Sequence, residues 1–94
     1  MIRREGDRLI VEGRATHDSV PALLAEGRPH LVSGVSTVDL AGLTEADSSA
    51  LALMLEWTRV AGREGGRVRF CNVPSGLRSL AELYGVAGLL ARGD

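Results

Sequence analysis

Ninety-four residues with 45% hydrophobic and 24% charged side chains are enough for one compact domain, expected to span residues 1–94, and too few for a second. Twelve acidic and eleven basic residues are interspersed to a net charge of −1, which excludes a field able to draw in nucleic acid or an anionic bilayer. All eleven basic residues are arginine, which fits a coding bias better than eleven anion sites, and with three aromatics (Trp57, Phe70, Tyr84) the core must be built from Leu, Val and Ala.

The chain opens on "MIRREGDRLIVEG", charged at once and without the apolar stretch of a signal peptide. Two β-prone runs flank Gly6-Asp7, and the alternation of Leu9 and Val11 with Arg8, Ile10 and Glu12 predicts a hairpin at the edge of a sheet. Thr16, Asp18 and Ser19 are candidate caps for a helix whose spacing is set by Val20, Leu23 and Leu24. Gly27 and Pro29 should end or kink it, with a last turn around His30 to Val32 before Gly34.

"VSTVDL" reads as the next strand, with Val35, Val38 and Leu40 turned to the interior. A polar turn, "GLTEAD", leads to a helix from about Ser48 to Gly62, and "RVRFCNV" follows "GREGG" as a third clear strand. The last helix lies in "SGLRSLAELYGVAGLL", with Ser75 as cap and Gly85 as stop. The order β-β-α-β-α-β-α implies an α/β fold: a small four-stranded mixed sheet, an N-terminal hairpin followed by parallel crossovers, flanked by three or four helices.

At 100° per residue, Leu51, Met54, Leu55, Thr58 and Gly62 share the face of the middle helix that should pack on the sheet. Leu53, Trp57 and Val60 lie on the adjoining face, and Ala52, Glu56, Arg59 and Arg63 form the polar side. The apolar arc is wider than a surface helix needs. Either the helix around residues 75–85 covers it, or Leu53 or Trp57 belongs to a partner-binding patch.

No catalytic constellation is expected. His17 and His30 stand thirteen residues apart with no carboxylate or thiol at ligand spacing, so no metal site follows. The single Cys71 sits in a strand, where it reads as a small buried hydrophobe, and "GREGG" precedes a strand where a phosphate cradle must precede a helix. No cofactor is called for, and ATP should be neither bound nor hydrolysed. The longest apolar run, Ala50 to Leu55, is far short of the roughly 20 residues of a membrane span. A cytoplasmic protein without direct membrane insertion is expected.

The remaining question is the series Asp47, Ser48, Ser49 at the helix start. Either Asp47 or Ser48 caps orphaned backbone N–H groups, or the strand end, turn and helix start form an exposed recognition site where a phosphate on Ser48 would meet the positive end of the helix dipole. The run Asp39, Leu40, Leu43, then Asp47, Ser48, Ser49, Ala50, Leu51, fits a D-L-x-x-[VL] strand end followed by D-[ST]-[SAG]-[GA]-L opening a helix. With "GREGGRVRFCNVPSGLRSLAELYGVAGLL" behind it, the chain resembles a STAS domain nearly throughout, most clearly from Val38 to Leu90. That family is shared by anti-sigma factor antagonists, cytoplasmic tails of sulfate transporters and bacterial lipid-transport accessory proteins.

The resemblance implies a binding module whose partner contact includes Leu43, Thr44, Asp47, Ser48 and Ser49, with Trp57 as a further candidate. In the sigma-regulating branch the residue at the position of Ser48 is phosphorylated. That branch usually has Gly where this chain has Ala50, and it continues further past the last helix, where only Ala91 to Asp94 remain here. The short length, "ALALMLEW" and the Leu80 to Tyr84 run resemble instead the small STAS subunits of ABC complexes that move phospholipids between the membranes of Gram-negative bacteria. The implied partner is then the transporter's ATPase subunit, which would hold the protein at the inner membrane. The alternative partner is an anti-sigma factor kinase.

Overall fold

The computed structural model describes residues 1–89; the final five, which include Leu90 and the short C-terminal tail, lie outside the described residues. Strands β1 (Ile2–Glu5) and β2 (Arg8–Ala15) form the expected hairpin, paired antiparallel with Ile2 opposite Val11. Gly6 turns it with a φ of 63°, a left-handed conformation that favours glycine. Helix α1 (Val20–Val32) leads to β3 (Thr37–Ala46), α2 (Ser48–Arg63) to β4 (Arg69–Cys71), and α3 (Ser75–Leu83) is followed by a single 3-10 turn at Ala87–Leu89. The sheet order is β1-β2-β3-β4, with β2, β3 and β4 parallel.

Because both crossovers step in one direction across the sheet, their right-handedness places the helices on the same face. Leu9, Val11, Val38, Leu40 and Phe70 point to that face and are buried, with Leu9 opposite Val38 and Val38 opposite Phe70 in register. Arg8, Asp39 and Cys71 alternate to the other face. There Arg8 Nη1 donates to Asp39 Oδ2 at 3.2 Å and lies 3.1 Å from the Cys71 sulfur, and Asn72 Nδ2 donates to Asp39 Oδ1 at 3.0 Å. Cys71 is therefore half-buried in a polar cluster, a correction to its reading as a buried hydrophobe. Desolvation opposes ionisation of Asp39, but the Ala41 N–H, Asn72 and Arg8 together outweigh it and hold the carboxyl below its ordinary value.

One local expectation holds and two change. Pro29 lies inside α1, whose last turn through His30 to Val32 is the one expected: Leu31 is buried in the core, and the Ser33 N–H bonds the Pro29 carbonyl at 3.0 Å, so tertiary packing outweighs the hydrogen bond that proline cannot make. Ser19 stands at the N-cap position of α1, but its hydroxyl bonds the preceding loop, accepting from the Thr16 N–H at 2.9 Å and donating to the Arg14 carbonyl at 2.7 Å. At α3, Pro74 occupies the N-cap and Ser75 is the first helical residue, since the Arg78 N–H bonds the Pro74 carbonyl at 3.0 Å. Gly85, with a φ of 73°, follows the last turn of α3 as expected.

The wide apolar arc of α2 is covered from an unexpected side. Trp57 has 0% exposure and lies against α1 at Gly27, where a Cβ would come within 2.4 Å of the indole. Leu53 and Val60 are buried with it, whereas Leu55 and Thr58 are half-exposed and Gly62 is exposed. Helix α1, together with the sheet, thus covers the face expected to meet α3 or a partner. Trp57 and Leu53 are core residues, and their place in a partner-binding patch is withdrawn.

Candidate functional site at the start of α2

The segment expected to be a turn is strand. β3 continues through Ala46, with Leu43 opposite Gly13 and Ala46 opposite Ala15, so Asp47 alone separates strand from helix. Two register shifts, at Ile10/Glu12 and Gly13/Arg14, accommodate the extension, and Gly13 adopts a φ of 92°. Gly42 permits the close pairing, since a Cβ there would lie 2.8 Å from Glu12 Cγ. Leu43 is consequently half-buried and packed against the core near Leu77 and Leu80 of α3. It is a structural side chain as much as a surface one, contrary to its placement in a turn outside the core.

Of the two candidate caps, Asp47 and Ser48, Asp47 is the N-cap of α2. Its Oδ1 accepts the Ser49 N–H at 2.8 Å and its Oδ2 accepts the His17 N–H at 3.1 Å, while its own N–H donates to the Ala15 carbonyl at 3.3 Å. One carboxylate thereby fixes both the first turn of α2 and the β2–α1 loop. The His17 ring sits 4.0 Å from Asp47 Oδ2 and 3.1 Å from Asp18, largely in solvent. Partial desolvation would raise the Asp47 pKa; hydrogen bonds from Ser49 and His17, with the nearby imidazole, overcome it and lower the pKa below its ordinary value. His17 joins the candidate site although its position in the sequence suggests only that it holds no metal, because its link to Asp47 runs through the backbone N–H across 30 positions.

With Asp47 so engaged, Ser48 is the residue presented outward. It is exposed at the first position of α2, and its hydroxyl makes no hydrogen bond among the described residues. Ser49 is half-buried and Thr44 is exposed on the strand end nearby. Beside Ser48 a shallow apolar depression is lined by Leu51, Ala52, Leu55, Tyr84 and Val86. Tyr84 is 59% exposed, and Leu83 next to it is 76% exposed. The edge therefore combines an unengaged hydroxyl, the positive end of a 16-residue helix and uncovered apolar side chains. Such a surface can bind, and among the described residues no cluster of His, Cys, Asp and Glu able to hold a metal occurs. No helix of the described residues is long and apolar enough to cross a membrane.

Comparison with known proteins agrees with this architecture. The chain is 33% identical over 79 residues to the intermembrane phospholipid transport system binding protein MlaB of Escherichia coli K12, covering 84% of this chain and 80% of that protein, and equally so to its Shigella flexneri counterpart. Among solved structures, the anti-sigma factor antagonist SpoIIAA in its unphosphorylated form superposes with a TM-score of 0.73 at 18% identity, covering 96% of this chain and 84% of the other. The phosphorylated form from Bacillus gives 0.68 at 19% identity, with 96% and 86% covered. These two likenesses establish the fold. Residues 2–91 match the family described as Mlab, STAS domain, and the chain, with its mixed four-stranded sheet and its Asp-Ser opening of α2, belongs to that family.

Proposed function

We propose that the protein is a non-enzymatic accessory subunit that binds and supports the ATPase, MlaF-like, of an ABC transporter that maintains outer-membrane phospholipid asymmetry. In this reading it is cytoplasmic and peripheral to the inner membrane through its partner. The observation that carries the reading is the presentation of Ser48: the cap is supplied by Asp47, leaving the serine hydroxyl unengaged beside exposed apolar side chains. Leu43 supports this edge from beneath, Thr44, Ser48 and Ser49 offer it to the partner, and Asp47 holds it in place. Kinship with MlaB, a binding protein of a phospholipid transport system by name, supplies the partner class. Ser48 then serves as a small polar contact whose donor and acceptor must be satisfied across the interface.

The family fold also suits a second reading, in which the partner is an anti-sigma factor kinase and Ser48 is phosphorylated. The solved relatives include a phosphorylated antagonist, and Ser48 opens a helix whose dipole favours a phosphate. Affinity purification of the tagged protein from its native membranes, with mass spectrometry, separates the two. Recovery of an ABC ATPase with its membrane subunit, lost on Ser48→Asp while thermal stability is kept, supports the transporter reading. Recovery of a small kinase, with phosphate on Ser48, overturns it.

A further inference from the structure

At the end of α2 remote from Ser48, a cavity of about 480 Å³ lies between the last turns of the helix and the chain that enters β4. Gly62 and Gly66 leave part of its wall without side chains, and a Cβ on Gly62 would meet nothing within 4 Å. Val68, packed on the core from behind, adds an apolar surface. Arg67 and Arg69, both exposed and two positions apart, bring two guanidiniums to the same cavity.

These two arginines differ from most others in the molecule. Among the described residues, every arginine except Arg28, Arg67 and Arg69 is engaged with a carboxylate, hydroxyl, carbonyl or other partner. Two of those three line this one cavity. From Glu56 to Arg69 four arginines stand against two glutamates, in a chain whose net charge is −1. Glu56 is shared by Arg59 and Arg63, at 3.4 and 3.3 Å, and Glu64 at the C-cap of α2 pairs with neither Arg67 nor Arg69. The helix end, whose bare carbonyls would repel an anion, is largely satisfied: Val60, Gly62 and Ala61 carbonyls accept the N–H groups of Glu64, Gly65 and Gly66 at 3.3, 3.0 and 2.9 Å. Thr58 has its hydroxyl proton committed to the Met54 carbonyl at 2.8 Å, which leaves the two guanidiniums as the side-chain donors facing the cavity.

Planar guanidinium forks match phosphate oxygens two at a time, and a pair of them favours a doubly charged group. The volume exceeds what a bare oxyanion needs and falls within the roughly 300–1,000 Å³ of small-molecule sites. We propose that this cavity is an anion site for the phosphate monoester of a small organic molecule, its oxygens held between Arg67 and Arg69 and its carbon part against Val68 and the bare Gly62 wall. With no long-range field to draw the ligand in, selection falls to the local fit of charge and space. The inference does not depend on the accessory-subunit reading, which concerns the opposite end of α2.

The test titrates the full chain with glycerol 3-phosphate by calorimetry. In parallel it floats the protein with phosphatidylcholine vesicles that contain or lack phosphatidic acid, which presents the same monoester from a bilayer. Binding of the soluble ester identifies a soluble ligand; flotation that requires phosphatidic acid, without binding of the soluble ester, identifies a lipid headgroup, and either result supports the site. Arg67→Gln and Arg69→Gln should each weaken the observed binding at least tenfold. Gly62→Leu, which fills the cavity from the helix, should abolish it while the melting temperature holds or rises. Arg28→Gln, at an unengaged arginine outside the cavity, should change nothing. The inference is overturned if neither probe binds, if Gly62→Leu binds like the wild type, or if Arg28→Gln weakens binding as much as Arg67→Gln does.

Discussion

Ser48 and Trp57 lie nine positions apart on α2, and residue types alone suggest a partner contact for each, yet the fold treats them oppositely. Trp57 is fully enclosed because Gly27 has no side chain, which lets α1 come close enough to cover the indole. Ser48 stays in solvent because β3 runs almost to the helix start and Asp47 takes the capping role. Exposure along one helix is therefore decided by what its neighbours lack: a Cβ in one case, an unfilled hydrogen-bond need in the other.

The sharpest way to break this contrast is Trp57→Ala, expected to cost about 3–5 kcal/mol of stability by denaturant titration because it empties a closed site. A change below about 1 kcal/mol would place the indole outside the core. Gly27→Ala attacks the same contact from the other helix. Its methyl meets the indole ring, and overpacking of this kind costs roughly 1–3 kcal/mol. If Gly27→Ala were as stable as the wild type, the close approach of α1 to α2 would not exist.

Leu43→Asp tests the boundary between site and scaffold. It should lose both partner binding and stability, since a carboxylate would replace an aliphatic side chain packed on the core, whereas Ser48→Asp should lose binding alone. Equal melting temperatures for the two variants would return Leu43 to the surface. At Ser48 a new carboxylate meets the positive end of α2, which favours the folded helix.

The smallest effect is acid titration. Asp39 and Asp47 both have folded pKa values below their unfolded ones, so their contribution is fully present above the unfolded aspartate pKa of about 3.9 and disappears as pH falls through the lowered folded values. Melting temperature should hold steady near neutrality and fall in acid, with a shallower fall in Asp39→Asn. An identical acid profile in that variant would remove Asp39 from the linkage.

The alternation of Leu9 and Val11, the helical spacing of Leu51 and Met54, and the Asp-Ser helix opening were each readable, because local geometry alone requires them. From these the element order, the mixed sheet and a cap at Asp47 or Ser48 followed, and the structure assigns it to Asp47. The "GLTEA" segment misled for the same reason in reverse: local propensity argues for a turn, while the pairing of β3 with β2 holds it as strand.

Periodicity could establish that α2 has too broad an apolar face for the sheet alone. It could not say which neighbour covers it, since that depends on a glycine 30 positions away. The link from His17 to Asp47 was invisible for a like reason, being made by a backbone N–H whose donor carries no residue identity. The sequence by itself determined the order of the elements and a polar helix opening at Asp47 and Ser48. Only the tertiary structure decided that Trp57 is core and that Leu43 packs against the core, because those outcomes depend on how closely distant segments approach.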